Sequence, residues 1–325
     1  MKVLLLGANG FGRIHLDSLS RMDVDIEIFV RDRAAIQDVA QKYNISRVYD
    51  DLHAALGSGA DVADIVLPHD MHRDIATKLM RMKKHVLIEK PIATQIADAE
   101  QMIIEGKREK VKFMVAEQYY FDTSASWARE AVHAGTIGNV LTIIVRDQRL
   151  FKGSGWRLRK EIMGGGALVD GGVHFIDTLL NFGGDYSGLK ALTSKGISPI
   201  EEPDTTMSIF RFKSGAIGFL YYTWSYPNSP DVPRFEIVGT NGTILEDIST
   251  KPKVDFKSMK GTRYAFGLPV LNGKKVDIEI TDVFDREIAG FLKSVREDMP
   301  VPMDPSLALR DLRAVKDIYA SARAN

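Results

Sequence analysis

Apolar and polar positions follow one another in two different rhythms along this chain. In the first third, short apolar runs stand between amphipathic stretches. The runs are Val3–Leu6, Val24–Val30, Val62–Leu67, Val86–Ile88 and Lys112–Ala116, with a weaker Val48–Tyr49. Runs of this length predict buried strands. The stretches between them, Ala34–Tyr43, Met71–Met82 and Ile96–Lys107, carry helical character. Alternating strands and helices predict an α/β domain built on a doubly wound parallel sheet. After Gln118 the rhythm changes. Ser124–Ala134 reads as a helix, stopped at Gly135-Thr136-Ile137-Gly138. Val140–Gln148, Ser208–Phe212, Ala216–Trp224, Arg234–Val238 and Thr243–Glu246 read as strands without helices between the later ones. Close strands separated by turn residues predict a mainly antiparallel sheet, here in an α+β domain. Two helices, Asp282–Val295 and Ser306–Ala322, are split by Met299-Pro300-Val301-Pro302. The expected domains are residues 1–118 and 119–325.

Composition narrows the function classes. A chain of 325 residues is long enough for two cores. Lys+Arg and Asp+Glu are both 43, which argues against nucleic acid and membrane surfaces as partners. With no cysteine, disulfides, thiolate metal sites and cysteine nucleophiles are excluded. Val3–Leu6 is too short for a signal-peptide core and no stretch approaches a membrane span, so a cytoplasmic protein is expected.

The first run stops in Gly7-Ala8-Asn9-Gly10-Phe11-Gly12, followed by helical sequence. Strand, glycine turn and helix N-terminus together suit a dinucleotide pyrophosphate. Gly7, Asn9, Gly10, Phe11 and Gly12 are the candidate contacts. The second strand ends in Val30-Arg31-Asp32-Arg33. Asp32 stands where an acid binds the ribose of NAD, whereas Arg31 can pair with the 2′-phosphate of NADP. Pro68, His69 and His72 follow the fourth strand and read as a loop covering the cofactor. The two histidines could in principle ligate a metal, but no neighbouring carboxylate cluster completes a site, and none is expected. The fifth strand ends in Glu89-Lys90-Pro91. A lysine at a strand's carboxyl end faces the ligand crevice and can transfer a proton if partly desolvated. Glu89 and Gln118, at the ends of the fifth and sixth strands, join the candidate cofactor contacts.

A second chemical stretch runs Gly164-Gly165-Gly166-Ala167-Leu168-Val169-Asp170-Gly171-Gly172-Val173-His174-Phe175-Ile176-Asp177. Read as a continuous helix, it puts Asp170, His174 and Asp177 on one face. Gly171 and Gly172 each cost that helix about 1 kcal/mol relative to alanine, which suggests that a ligand or another backbone comes close. An Asp–His pair there could hold an imidazole as acid or base.

These pieces together resemble the Gfo/Idh/MocA family, named for glucose–fructose oxidoreductase, inositol dehydrogenase and a rhizopine-catabolism protein. The resemblance rests on Glu89-Lys90-Pro91 followed by Gly164–Asp177, and covers nearly the whole chain. Supporting marks are the glycine turn, Pro68 with His72, Trp156-Arg157 and Val238-Gly239-Thr240-Asn241-Gly242. It implies a Rossmann domain followed by an open-faced sheet domain, and a nicotinamide-dependent oxidoreductase acting on a sugar, cyclitol or related compound. NADP is the favoured cofactor, with NAD the alternative. The resemblance implies Lys90, Asp170 and His174 as catalytic residues, meeting across the crevice between domains, with proton transfer open between Lys90 and His174. Tyr120, Trp156 and Arg157 are candidates for the substrate wall, beside Asp170 and His174. Tyr120-Phe121 stands where many members carry Arg-Phe. A homodimer or homotetramer through the open sheet face is expected. The rival expectation is a cofactor-binding sensor without turnover, which has no chemical need for three titratable groups around one crevice.

Overall fold

The structure, a computed structural model, describes residues 1–43, 45–252 and 261–324. It divides into two compact units. In chain order the first begins with β1 (Lys2–Leu6), α1 (Gly12–Leu19), β2 (Asp25–Phe29), α2 (Gln37–Lys42), β3 (Arg47–Tyr49) and α3 (Leu52–Leu56). It continues with β4 (Val62–Ile65), α4 (His72–Arg81), β5 (His85–Glu89), α5 (Ile96–Glu109) and β6 (Phe113–Ala116). The strands pair in parallel in the order β3-β2-β1-β4-β5-β6. Because β1 lies between β2 and β4, Val3–Leu6 are fully buried. That is why they read as an unbroken apolar run. The strand order reverses between β1 and β4. Open sheets of this kind bind ligands beyond the carboxyl ends of the strands at such a switch point. The expected strands are all present. The short α3 was not expected: it spans barely more than a turn, and the Asp51 carboxylate caps it by accepting from the His53 N–H at 2.6 Å.

The second unit holds α6 (Thr123–His133), β7 (Val140–Gln148), α7 (Lys160–Met163), α8 (Val173–Gly183), β8 (Tyr186–Ser194), β9 (Thr205–Phe212) and β10 (Ile217–Thr223). It adds β11 (Phe235–Gly239), β12 (Gly242–Glu246), β13 (Pro269–Leu271) and β14 (Lys274–Lys275). The sheet order is β14-β13-β12-β11-β7-β10-β9-β8. Neighbours are antiparallel except β7 and β10, which run parallel. α8 packs on one face, against β7 and β10. Ile143, Val145, Phe210, Leu220 and Tyr222 are buried in the core. Leu192, Met207, Ile209, Ile217 and Val238 are exposed instead. β8 escaped the sequence reading because most of its side chains are exposed or half-buried, so it shows no apolar alternation.

Two helices complete the chain: α9 (Val283–Arg296) and α10 (Pro305–Arg323). From Phe284 to Leu309 the chain belongs to the first unit, as do residues 261–263. The Phe284 ring stands edge-on to Phe11 of the glycine turn, with centroids 5.7 Å apart. Among the described residues no helix is long and apolar enough to cross a membrane.

Candidate active-site residues in the two units

In the first unit the glycine turn joins β1 to α1. Gly7 has φ +97°, and a Cβ there would meet the Val66 carbonyl oxygen at 2.1 Å. Glycine is therefore required on both conformational and steric grounds. Gly10, at φ +58°, has open space where a side chain would project. No side chain caps α1 at Phe11. A backbone turn open on its outer side, leading into an uncapped helix, fits a dinucleotide pyrophosphate.

Arg31 and Asp32 are both exposed after β2. The Asp32 carboxylate accepts the Ala34 N–H at 2.9 Å, closing its own turn. Pro68 precedes a turn of 3-10 helix, and His69 and His72 are buried with rings 5.7 Å apart. The His72 Nδ1 lies 2.9 Å from the Pro91 carbonyl and its Nε2 3.0 Å from the Leu67 carbonyl. Burial, the largest influence, pushes this imidazole below its ordinary pKa of 6.5 despite those carbonyls. A neutral ring donates to one of the two carbonyls and stands close to the other. The ring thus stands between the Leu67 and Pro91 carbonyls. Among the described residues no three His, Asp or Glu side chains are grouped to hold a metal.

Glu89 is the last residue of β5, and half-buried Lys90 follows it. The Glu89 carboxylate, expected among the cofactor contacts, accepts from Nε2 of His15 at 3.0 Å. The His15 Nδ1 donates to Asp64 at 2.9 Å. Sequence reading missed this cluster. Its members lie 49 and 74 residues apart, so no local spacing reports it.

In the second unit Gln118 is buried, and its side-chain oxygen has no hydrogen-bond partner among the described residues. Tyr119 stacks on His174, with centroids 4.3 Å apart and planes at 17°. Burial pushes the Tyr119 phenol up from its ordinary pKa, against the nearby Arg149 charge. Tyr120 packs beneath the Arg129 guanidinium, 4.1 Å from its ring centre. Arg157 lies 4.4 Å from the Trp156 ring centre and donates from Nε to the Asp170 carboxylate at 2.5 Å.

The expected continuous α-helix through Asp170 and His174 is corrected by the structure. Leu168–Gly172 forms a π-helical turn, and α8 begins only at Val173. Asp170 therefore sits in a widened turn and bonds Arg157, while His174 lies in the first turn of α8 against Tyr119. Asp177 belongs to a different group, accepting from Asn181 at 2.9 Å and Arg310 at 3.3 Å. The two helix glycines have a packing cause. A Cβ on Gly171 would stand 2.2 Å from the Tyr222 hydroxyl. That hydroxyl accepts from Trp224 Nε1 at 2.6 Å and has no room to retreat without breaking a buried bond.

Comparison with known proteins covers both units. Residues 1–117 match an oxidoreductase family with an NAD-binding Rossmann fold, and residues 126–245 match the GFO/IDH/MocA C-terminal domain. The chain is 25% identical over 313 residues to "Myo-inositol 2-dehydrogenase" of Thermotoga maritima, covering 92% of this chain and 90% of the relative. Its fold is similar to an aldose-aldose oxidoreductase from Caulobacter crescentus complexed with glycerol. That match has a TM-score of 0.85 and 20% identity, over 100% of this chain and 98% of the other. A levoglucosan dehydrogenase in complex with NADH and levoglucosan matches with TM-score 0.84 and 22% identity, over 100% and 97% of the two chains.

Proposed function

Because this chain belongs to the Gfo/Idh/MocA family of oxidoreductases, we propose that it interconverts a hydroxyl and a carbonyl on a sugar or cyclitol, with a nicotinamide cofactor as hydride partner. The observation that carries this reading is Lys90 at the carboxyl end of β5, in the same sheet whose first turn is the open glycine turn. When bound, the nicotinamide accepts or donates the hydride. The backbone of Gly7–Gly12 holds the pyrophosphate. Arg31 pairs with a 2′-phosphate, so NADP is the preferred form. The exposed Arg31 guanidinium directly after β2 supports that preference, since it can bind a phosphate bidentately.

On the substrate, Lys90 donates a hydrogen bond to the reacting oxygen and favours negative charge there. Lys90 or His174 takes the hydroxyl proton in oxidation and returns it in reduction. Asp170, held by Arg157, orients the polar groups about that oxygen. Arg157, Trp156 and Tyr120 contribute to the substrate wall. Met207, Ile209 and Ile217 on the exposed face of the second sheet pair with a second copy of the chain, giving a homodimer or a dimer of dimers. Sedimentation as a clean monomer at micromolar concentration would contradict that assembly.

The test of the reaction is a panel of inositols, aldoses and sugar acids, with NADP and NAD each supplied and nicotinamide absorbance followed. Turnover of at least one polyol is expected, myo-inositol being the first to try because a relative bears that substrate in its name. Tight cofactor binding with no turnover across the panel would point to the sensor instead.

A further inference from the structure

The cluster around His15 does more than fill the first unit's core. His15 lies in the first turn of α1, three residues after the glycine turn ends at Gly12, and is fully buried. Both of its ring nitrogens meet carboxylates: Asp64 of β4 at 2.9 Å and Glu89 of β5 at 3.0 Å. A carboxylate only accepts, so both ring nitrogens carry protons and the imidazole is a cation. Burial opposes that charge most strongly, but the Asp64 and Glu89 charges and hydrogen bonds outweigh it, and its pKa stands well above 6.5. Facing the same group from α9 is Glu287, fully buried, with neither carboxyl oxygen hydrogen-bonded among the described residues. Burial first, and then the charges of Glu89, Glu117 and Asp64, push its pKa well above 4.5 against the pull of His15. The rings of Phe11 and Phe284 stand 5.9 and 6.1 Å from the His15 ring.

A buried ion pair adds little stability over well-packed apolar side chains, so stability alone is a weak reason for this one. What it does add is direction. The imidazolium bonds two adjacent strands at fixed angles and holds the Glu89 side chain inward. Lys90 is the next residue in the chain, directly after the end of β5, so its backbone starts where that of Glu89 is held. Resting on the reading that Lys90 works on the substrate, we infer that His15 is a positioning residue for the reaction. By fixing Glu89 in the core it sets the backbone from which Lys90 projects, and because it stands on α1 it ties that setting to the cofactor turn.

The test reads Lys90 directly as well as through turnover. Lysines of the full chain are reductively methylated with 13C-formaldehyde, the Lys90 resonance is identified by its loss in Lys90→Met, and its titration midpoint is followed by NMR. In His15→Gln the midpoint should move by about half a unit or more, because the strand end relaxes and the local charge changes. The catalytic constant on the polyol found in the panel should fall about tenfold or more with KM nearly unchanged, as for a misplaced catalytic group. Glu89→Gln keeps the side chain's shape and serves as a second variant if His15→Gln does not fold; it should lower the catalytic constant likewise, and its midpoint should also move, with the charge contribution of opposite sign because a negative charge is lost rather than a positive one. Folded variants with wild-type midpoint and wild-type turnover would overturn the inference. Full turnover in Lys90→Met would sink the reading of the reaction instead, and the Lys90 midpoint in the variants would still decide the role of His15.

Discussion

The His174 imidazole lies flat on the Tyr119 ring, with centroids 4.3 Å apart and planes at 17°. Tyr119 is itself held edge-on by Phe175 at 5.4 Å and Phe266 at 5.3 Å. A proton-transfer group gains from a fixed ring plane, and a buried aromatic partner supplies one without adding a charge. Tyr119→Leu keeps an apolar side chain but loses the flat surface. It should lower the catalytic constant by about tenfold, while Tyr119→Phe stays near wild type. Steady-state kinetics of both variants checks this; equal activity in Tyr119→Leu would show that the stack does not set His174.

Asp170 and Arg157 form the other fixed pair. The Asp170 side chain is only 5% exposed, and the Arg157 guanidinium bonds it at 2.5 Å. Arg157→Ala leaves a buried carboxylate without that donor. The expected loss is about 1.5–3 kcal/mol of stability, in the range for hydrogen bonds to charged groups. Denaturant unfolding measures it, and an unchanged midpoint would mean that water replaces the guanidinium freely.

Glu287 gives a prediction with a definite sign. Between the ordinary value of 4.5 and its raised folded value, the folded chain keeps a proton that the unfolded chain has lost. Stability therefore falls as pH rises through that window, by at most about 1.4 kcal/mol per pH unit. His15, raised above 6.5, gives stability that is full below 6.5 and is lost as pH rises through its folded value. That contribution is present with or without Glu287. Glu287→Gln removes the glutamate's share. It should be more stable than wild type at about pH 8, with the gap closing toward about pH 4. Urea unfolding at several pH values tests this, and a gap that does not change with pH would contradict it.

Arg31 tests the cofactor preference. Arg31→Ala should weaken NADP binding far more than NAD binding, because only NADP offers a 2′-phosphate to a guanidinium. Titration of each cofactor against both proteins measures the difference. Equal losses would show that Arg31 faces away from the adenosine end.

Much of the fold was legible because both sheets leave a direct trace in the sequence. β1 is buried on both sides and reads as Val3–Leu6 without a polar break, while β9 shows its buried and exposed residues in strict alternation. The strand-end position of Lys90 followed from that pattern. The partners of the site were not legible. Tyr119 meets His174 across 55 positions, and His15 meets Glu89 across 74. Such contacts depend on how the strands are ordered, which hydrophobic period does not encode. The π-turn at Leu168–Gly172 was hidden because helical spacing assumes a uniform 3.6-residue period. The glycines at 171 and 172 did signal a close approach, but the neighbour is the Tyr222 side chain of β10 and not the expected ligand or second backbone.

Lys90→Met tests most directly whether Lys90 takes part in the chemistry or merely ends a strand. Lys90→Met keeps the apolar stem and removes the charge and the donors. Its catalytic constant on the polyol found in the panel is measured beside its dissociation constant for NADP. Turnover should fall roughly 10²–10⁴-fold with cofactor affinity little changed. Combined with His174→Ala, the loss should be smaller than the product of the two single losses, since groups acting on one step are not additive. Turnover in Lys90→Met near the wild-type rate would contradict the account.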